Sequence, residues 1–400
     1  MSKGIKFIHA ADLHLDSPFI GLSDLDEKLF EKVKESTFIA LDNLVDEAIK
    51  HEVDFVLLVG DLFDNNEQSL KAQIKLKTAF EKLNTYGINV YLSYGNHDFI
   101  QGNLYPIEYP ENVCVYPDEQ VTYFTHYKEN KPLVNIYGFS YETRAVNEDK
   151  IKDYTLVNPS EVNYHIATLH GSADSAHGHA NYAPFKLSEL KNQPFDYWAL
   201  GHIHKREILS EDPPIVYPGN IQGRHRNEAG EKGCYLVHLT KEETNFEFLR
   251  LGAIQFRTLT IELTEEESLH QFKEKINSML SQDELELVHL TINSQTDEIT
   301  EWEKTERLTE LIQLINDLQT SYIYKYKINL NTGTFFENNY FFDQLLTHLE
   351  ESGIEESMND LLTHPQVRKY PEIYEINNEE LKQRAEEILT LEFYNRGEVK

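Results

Sequence analysis

Five short apolar runs, each closing on residues that a metal ion accepts as ligands, constrain what this chain can fold into. They are Ile5 to His9, leading to Asp12-Leu13-His14; Val53 to Val59, leading to Gly60-Asp61; and Val90 to Tyr94, leading to Gly95-Asn96-His97-Asp98. Then come His165 to Leu169, leading to His170-Gly171, and Tyr197 to Leu200, leading to Gly201-His202-Ile203-His204. Runs of roughly four to eight apolar, β-branched or aromatic residues bounded by glycine are what strands buried on both faces look like in sequence. In α/β sheets a site lies outside the carboxyl ends of the strands. The pattern therefore predicts a site assembled from strand ends.

Asp, His and Asn suit borderline-hard divalent cations, and no cysteine stands among them, which argues against a soft thiolate site. Manganese fits best, and iron or zinc would also accept such donors. One carboxylate can give an oxygen to each of two cations held roughly 3.5–4 Å apart, and Asp61, between two half-sets, is placed to do so. Asn96 offers a neutral oxygen where a second charge is not wanted.

Taken in order, Asp-x-His, Gly-Asp, Gly-Asn-His-Asp, His-Gly and Gly-His-x-His resemble the motifs of the calcineurin-like metallophosphoesterases. The segments Tyr197-Trp198-Ala199-Leu200-Gly201-His202-Ile203-His204-Lys205 and Tyr217-Pro218-Gly219-Asn220-Ile221-Gln222 are similar to the SbcD- and YhaO-like DNA repair exonuclease branch. The resemblance spans about Ile5 to Arg250 and is looser beyond. It implies an α/β to α+β fold of four layers, two facing β-sheets flanked by helices, with a binuclear metal centre. Matched position by position, it implies one cation on Asp12, His14, Asp61 and His204 and the other on Asp61, Asn96, His170 and His202. His97 would be the general acid for the leaving oxygen. Asp98 would fix the tautomer of His97 or of a ligand histidine.

Asp64 departs from those branch members that carry a second catalytic histidine there and agrees with others that carry Asp. It is a candidate substrate contact, although Asn65-Asn66-Glu67-Gln68 replaces the proline-rich sequence that often follows. Arg224-His225-Arg226 is the compact basic cluster near the motifs, either a phosphate-gripping patch of salt-dependent affinity or a solvated turn. His177-Gly178-His179 also spells His-x-His, but no apolar run feeds it, so it reads as a surface loop. His9 and His165 lie within strands and read as core.

At 400 residues the chain exceeds what one core usually organises. The periodicity predicts a catalytic domain over 1–251, a small α+β domain over 252–330, which the resemblance makes a capping domain, and an acidic helical region over 331–400 that packs on its own chain or docks on a partner. Within the first, apolar spacing from Ser23 to Lys50 predicts one long or two consecutive helices, and a second helix runs from about Leu70 to Leu83. After Asn112 shorter runs predict mixed or antiparallel sheet. In the small domain the order is strand, helix, strand, helix from Trp302 to Leu318, and strand.

A formal net charge of −31 counts against a freestanding nonspecific DNA binder, since such proteins carry a basic footprint. It leaves room for a nuclease whose cations supply the positive potential. Cys114 and Cys234 sit in strand-like runs and read as free thiols of a reducing compartment. No N-terminal signal-like segment and no run of roughly 20 apolar residues is present, so a cytoplasmic protein without a membrane span is expected. The leading expectation is a metal-dependent DNA exonuclease, with endonuclease activity also open to it, acting on DNA ends in double-strand-break repair. Its partners by resemblance are an SbcC-like coiled-coil ATPase and a second copy of itself. The alternatives are a phosphoesterase for cyclic nucleotides or nucleotides, and a regulatory subunit with a silent site.

Overall fold

The computed structural model describes residues 4–19, 21–22, 25–64, 68–102, 106–173, 182–264, 266–294, 296 and 298–330. His177 and His179, residues 65–67 and the helices expected over 331–400 lie outside the described residues. In chain order the elements begin β1 (Ile5–Ala10), α1 (Glu27–Lys50), β2 (Phe55–Val59), α2 (Leu70–Thr85), β3 (Asn89–Ser93) and β4 (Val113–Val115). There follow β5 (Thr122–Lys128), β6 (Lys131–Gly138), β7 (Tyr164–His170), α3 (Leu187–Asn192), β8 (Tyr197–Gly201), β9 (Glu207–Glu211) and β10 (Pro214–Tyr217). The described chain ends with β11 (Gly233–Leu239), β12 (Thr244–Arg250), β13 (Gln255–Leu263), α4 (Leu269–Met279), β14 (Glu286–Ser294), α5 (Glu298–Lys304), α6 (Arg307–Leu318) and β15 (Tyr322–Leu330).

Strand alternation explains why the motif strands read as continuous apolar runs. On β1 and β2, Ile5, Phe7, Phe55, Leu57 and Val59 face one core, while Ile8, Ala10, Val56 and Leu58 face another. The first core lies between two six-stranded sheets, ordered β12-β11-β1-β2-β3-β4 and β5-β6-β7-β8-β10-β9. There Phe7 stacks on Phe55 with centroids 5.1 Å apart, and Tyr197 of the second sheet meets Phe7 edge-on at 5.3 Å. Each such fully buried ring contributes about 1.5–3 kcal/mol of transfer free energy. The second core packs α1 and α2 on the outer face of the first sheet. A third core, with Trp198, Leu200, Tyr154 and Leu190 of α3, covers the outer face of the second sheet. The result is the four-layer arrangement, two sheets inside and helices outside.

The strands β1, β2, β3 and β4 pair in parallel, as do β6, β7, β8 and β10. Antiparallel pairing is confined to β11 and β12 beside β1, to β5–β6 and to β9–β10. The mixed sheet expected after Asn112 is thus present, although β4 continues the parallel run. The stretch from Ser23 resolves into one helix, because Asp26 accepts the amides of Lys28 and Leu29 at 3.0 Å each and sets a single start at Glu27. The strand β9 and the short α3 were not legible: Glu207–Glu211 is mostly polar, and α3 is under two turns long.

The third sheet, β13-β14-β15, is parallel throughout and carries α4, α5 and α6 on one face. The single helix expected from Trp302 to Leu318 is two helices. Glu306 adopts φ 60° and the Thr305 hydroxyl turns back to the Glu301 carbonyl at 2.6 Å, ending α5 before α6 starts. Phe256 and Leu287, at the start of the other face, pack with Leu25, just before α1, and with Leu29 and Val33 of α1. Among the described residues no helix is long and apolar enough to cross a membrane.

Candidate metal centre

All five motif strands end at one place. Asp12 and His14 follow β1, Asp61 follows β2, Asn96, His97 and Asp98 follow β3, His170 closes β7, and His202 and His204 follow β8. Bonds between strand ends hold this rim together: His14 donates its amide to the Asp61 carbonyl at 3.0 Å, and the His202 amide reaches the Asp12 carboxylate of the other sheet at 3.0–3.1 Å. Asp12, His14, Asp61 and His202 all have left-handed backbone, φ 52°, 43°, 50° and 95°. Non-glycine residues in that region carry strain, and such strain gathers at functional sites. Gly95 is required beside them, since a Cβ there would stand 2.3 Å from Asp61 Oδ1 and 2.8 Å from His170 Nε2.

The side chains form two trios, Asp12–His14–His204 and Asp61–His170–His202, each with ligand atoms within 4.8 Å of one another. Asp61 links them, its Oδ2 being 3.4 Å from His170 Nε2 and 3.9 Å from His14 Nε2. Asn96 joins the second trio, its Oδ1 lying 3.1 Å from His170 Nε2 and 3.2 Å from His202 Nδ1. Every expected metal ligand is therefore brought together, and all but His202 and His204 are buried.

Tautomers show what these groups lack. His170 Nδ1 lies 3.0 Å from the Val59 carbonyl, which can only accept, so Nδ1 carries the proton and Nε2 presents a lone pair. That lone pair faces the oxygens of Asn96 and Asp61. His204 Nδ1 is 2.6 Å from Glu228 Oε1 and donates to it, leaving its Nε2 bare and 3.0 Å from His14 Nε2. The His14 Nδ1 is buried and makes no hydrogen bond. Lone pairs aimed at lone pairs are stable only around a positive charge, and in the protein alone a proton takes that place. Burial opposes protonation of His170, yet Asp61 and Asp12 outweigh it and raise the ring from 6.5 to about 9. Burial, together with His170, holds His202 near 3. A set of carboxylate, amide and imidazole donors with no thiolate fits two divalent cations of the manganese, iron or zinc kind.

Two expected roles change. Asp98 does not orient His97: its two oxygens accept the amides of Leu62 and Gly95 at 2.6 Å each, so it pins the β2 and β3 ends together. Burial, then the nearby Asp61, pushes its carboxyl up to about 7. The backbone carbonyl of Asp64 instead holds His97 Nδ1 at 2.8 Å, while the His97 amide donates to Asp61 Oδ1 at 2.9 Å. Nor is the basic cluster a free phosphate grip. Arg224 is 13% exposed and pairs with both Asp64 and Glu228. His225 caps the short turn Arg226–Glu228, and Arg226 lies close enough to His289 on β14 and Tyr324 on β15 for its charge to act on both. The Asp64 side chain is likewise turned inward, to Arg224 and toward His14 Nδ1 at 3.4 Å. Glu228 went unnoticed in the sequence, where its spacing of four from Arg224 was the available signal.

Residues 5–206 match the family model of calcineurin-like phosphoesterases. The chain is 36% identical over 401 aligned residues to an uncharacterized metallophosphoesterase, YhaO, of Bacillus subtilis, covering 97% of this chain and 98% of that one. It is 26% identical to the DNA double-strand break repair protein Mre11 of Methanocaldococcus jannaschii, covering 68% of this chain and 72% of that one. A dimetal phosphatase structure from Danio rerio aligns with a TM-score of 0.36 at 11% identity, covering 63% of this chain and 99% of that one. The converging trios agree with the family model and with the YhaO match: the chain belongs to the calcineurin-like phosphoesterases, hydrolases that use a binuclear divalent metal centre.

Proposed function

We propose that this chain is a metal-dependent nuclease that hydrolyses phosphodiester bonds at DNA ends, as an exonuclease that also has the means to cut internally. The observation that carries the reading is the pair of ligand trios linked by Asp61, with His97 beside them. The similarity to archaeal proteins named for DNA double-strand break repair supports DNA as the substrate.

Asp12, His14, Asp61 and His204 would hold one cation and Asp61, Asn96, His170 and His202 the other. Two divalent cations so held, manganese being the best match to the donors, would orient the phosphodiester, activate a water and offset charge building on phosphorus. His97 supplies the proton for the leaving oxygen. Its Nδ1 is committed to the Asp64 carbonyl, which leaves Nε2 as the nitrogen that hands the proton on. The Asp61 carboxylate holds the His97 amide, so ligand and acid move as one piece. An SbcC-like ATPase docking through 331–400, pairing of two copies and a cytoplasmic location belong to the same proposal.

The test is cleavage of end-labelled linear duplex and single-stranded DNA in Mn²⁺, with a cyclic nucleotide as control, by wild type and His97→Ala. Degradation of DNA by wild type that drops in the variant at unchanged metal content is the expected result. Hydrolysis of the cyclic nucleotide alone would replace DNA by a small phosphodiester. Inactivity on every substrate, also with the ATPase added, would sink the reading.

A further inference from the structure

We propose that Arg224 is a positioning residue for one half of the centre, the Asp12–His14–His204 trio, and that the two halves therefore take up and lose their cations separately. The inference rests on the reading of two cations above. Arg224 sits on neither trio; it sits behind one of them. Its Nη1 donates to Asp64, whose Oδ1 stands 3.4 Å from His14 Nδ1, and its Nη2 donates at 3.1 Å to Glu228, which accepts from His204 Nδ1 at 2.6 Å. The same Nη2 is 3.1 Å from His204 Nδ1, but a carboxylate at 2.6 Å takes the ring proton, because two lone pairs could not approach so closely. One planar guanidinium thus braces a carboxylate behind each of the two histidines whose front nitrogens face each other at 3.0 Å.

Among the described residues, nothing comparable stands behind the other trio. His170 is held from the rear by the Val59 main-chain carbonyl, and His202 by its backbone amide on Asp12. The carboxylate cluster is built rather than incidental. Glu228 also receives the Arg224 amide and the Asn220 amide group, each at 2.8 Å, and is 6% exposed. Lys232 holds the His204 carbonyl at 2.9 Å. Without Arg224, the buried Glu228 and the largely covered Asp64 would stand at the rear of the trio with their shared charge partner gone. The spacing of His14 and His204 would relax, and with it the cation they share.

The experiment is titration of metal-stripped full-length chain with Mn²⁺ alone, reading free and bound ion by electron paramagnetic resonance, for wild type, Arg224→Met, Arg224→Lys and Glu228→Gln. Wild type is expected to bind two equivalents and to show the exchange-coupled signal of a manganese pair. Arg224→Met should keep one equivalent at wild-type affinity and bind the second 10- to 100-fold more weakly, the usual cost of losing an outer partner of a ligand histidine. Arg224→Lys, which cannot fork between two carboxylates, should fall between. In a His14→Ala background Arg224→Met should cause no further loss, whereas in His170→Ala it should remove the remaining ion. Should Arg224→Met fail to fold, Glu228→Gln reads the same selective loss from the His204 end. Equal weakening of both equivalents, or none, overturns the proposal. Fewer than two equivalents in wild type overturns the two-cation reading itself, and the inference with it.

Discussion

His204 and His170 stand at neighbouring strand ends of one sheet, yet one leans on Glu228 and the other on the Val59 carbonyl. A main-chain carbonyl within a sheet is fixed by its neighbours and carries no net charge to be balanced. A buried carboxylate is adjustable in strength but must itself be held, here by Arg224, Asn220 and the turn at Arg226–Glu228. The difference teaches that a metal half-site can be rigid by inheritance from the sheet or by a separate charged brace. Only the second kind is open to removal by one side-chain substitution.

The largest effect should come from the residue common to both halves. Asp61→Asn removes the shared charge and is expected to reduce turnover by more than ~10²–10³-fold, the scale for loss of one electrostatic stabiliser, and to lower bound Mn²⁺ from two equivalents to one or none. If Asp61→Asn kept both ions, the halves would not share it. Next, His97→Ala should lower turnover ~10²–10⁴-fold with both equivalents of metal retained, since its ring belongs to neither half. Loss of metal alongside activity would move His97 from acid to ligand.

The backbone-held half can be probed by pH. His170, raised to about 9 in the metal-free chain, binds its proton more tightly folded than unfolded, where the ordinary value is 6.5. Its stabilisation is fully present below about pH 6.5 and is lost as pH rises through about 9. The thermal midpoint in a chelator should therefore fall over that window, and His170→Asn should flatten the curve. A midpoint that rose instead would contradict the pairing with Asp61. The smallest effect should be that of Asp98→Asn, which loses one of two amide bonds. About 1–3 kcal/mol of stability is expected in denaturant unfolding, with turnover per folded molecule changed less than by His97→Ala.

How much of this was legible can be judged from particular residues. The convergence of the seven expected metal ligands was legible because each ends an apolar run, and the runs exist because β1, β2, β3, β7 and β8 are covered on both faces. The rear of the site could not. No apolar strand leads directly into Arg224 or Glu228, and their roles depend on the chain passing from β10 back across the rim before β11. In sequence Arg224 looked like a surface cation beside His225 and Arg226, because charge alone does not reveal a partner 160 positions away in the chain. Asp98 misled for a similar reason: an acid next to a histidine suggests a pair, but the two amides of the adjoining turn claimed it first.

The left-handed backbone at Asp12, His14, Asp61 and His202 carries an evolutionary consequence. Each such residue costs roughly 1–2 kcal/mol relative to glycine's freedom, and the sum is comparable with the roughly 5–15 kcal/mol that keeps a domain folded. Glycine at these positions would relieve that strain and leave the chain unable to hold metal. A chain selected for endurance alone would have no reason to gather four strained polar residues at one rim, so their convergence there marks the part of the molecule where stability yields to use.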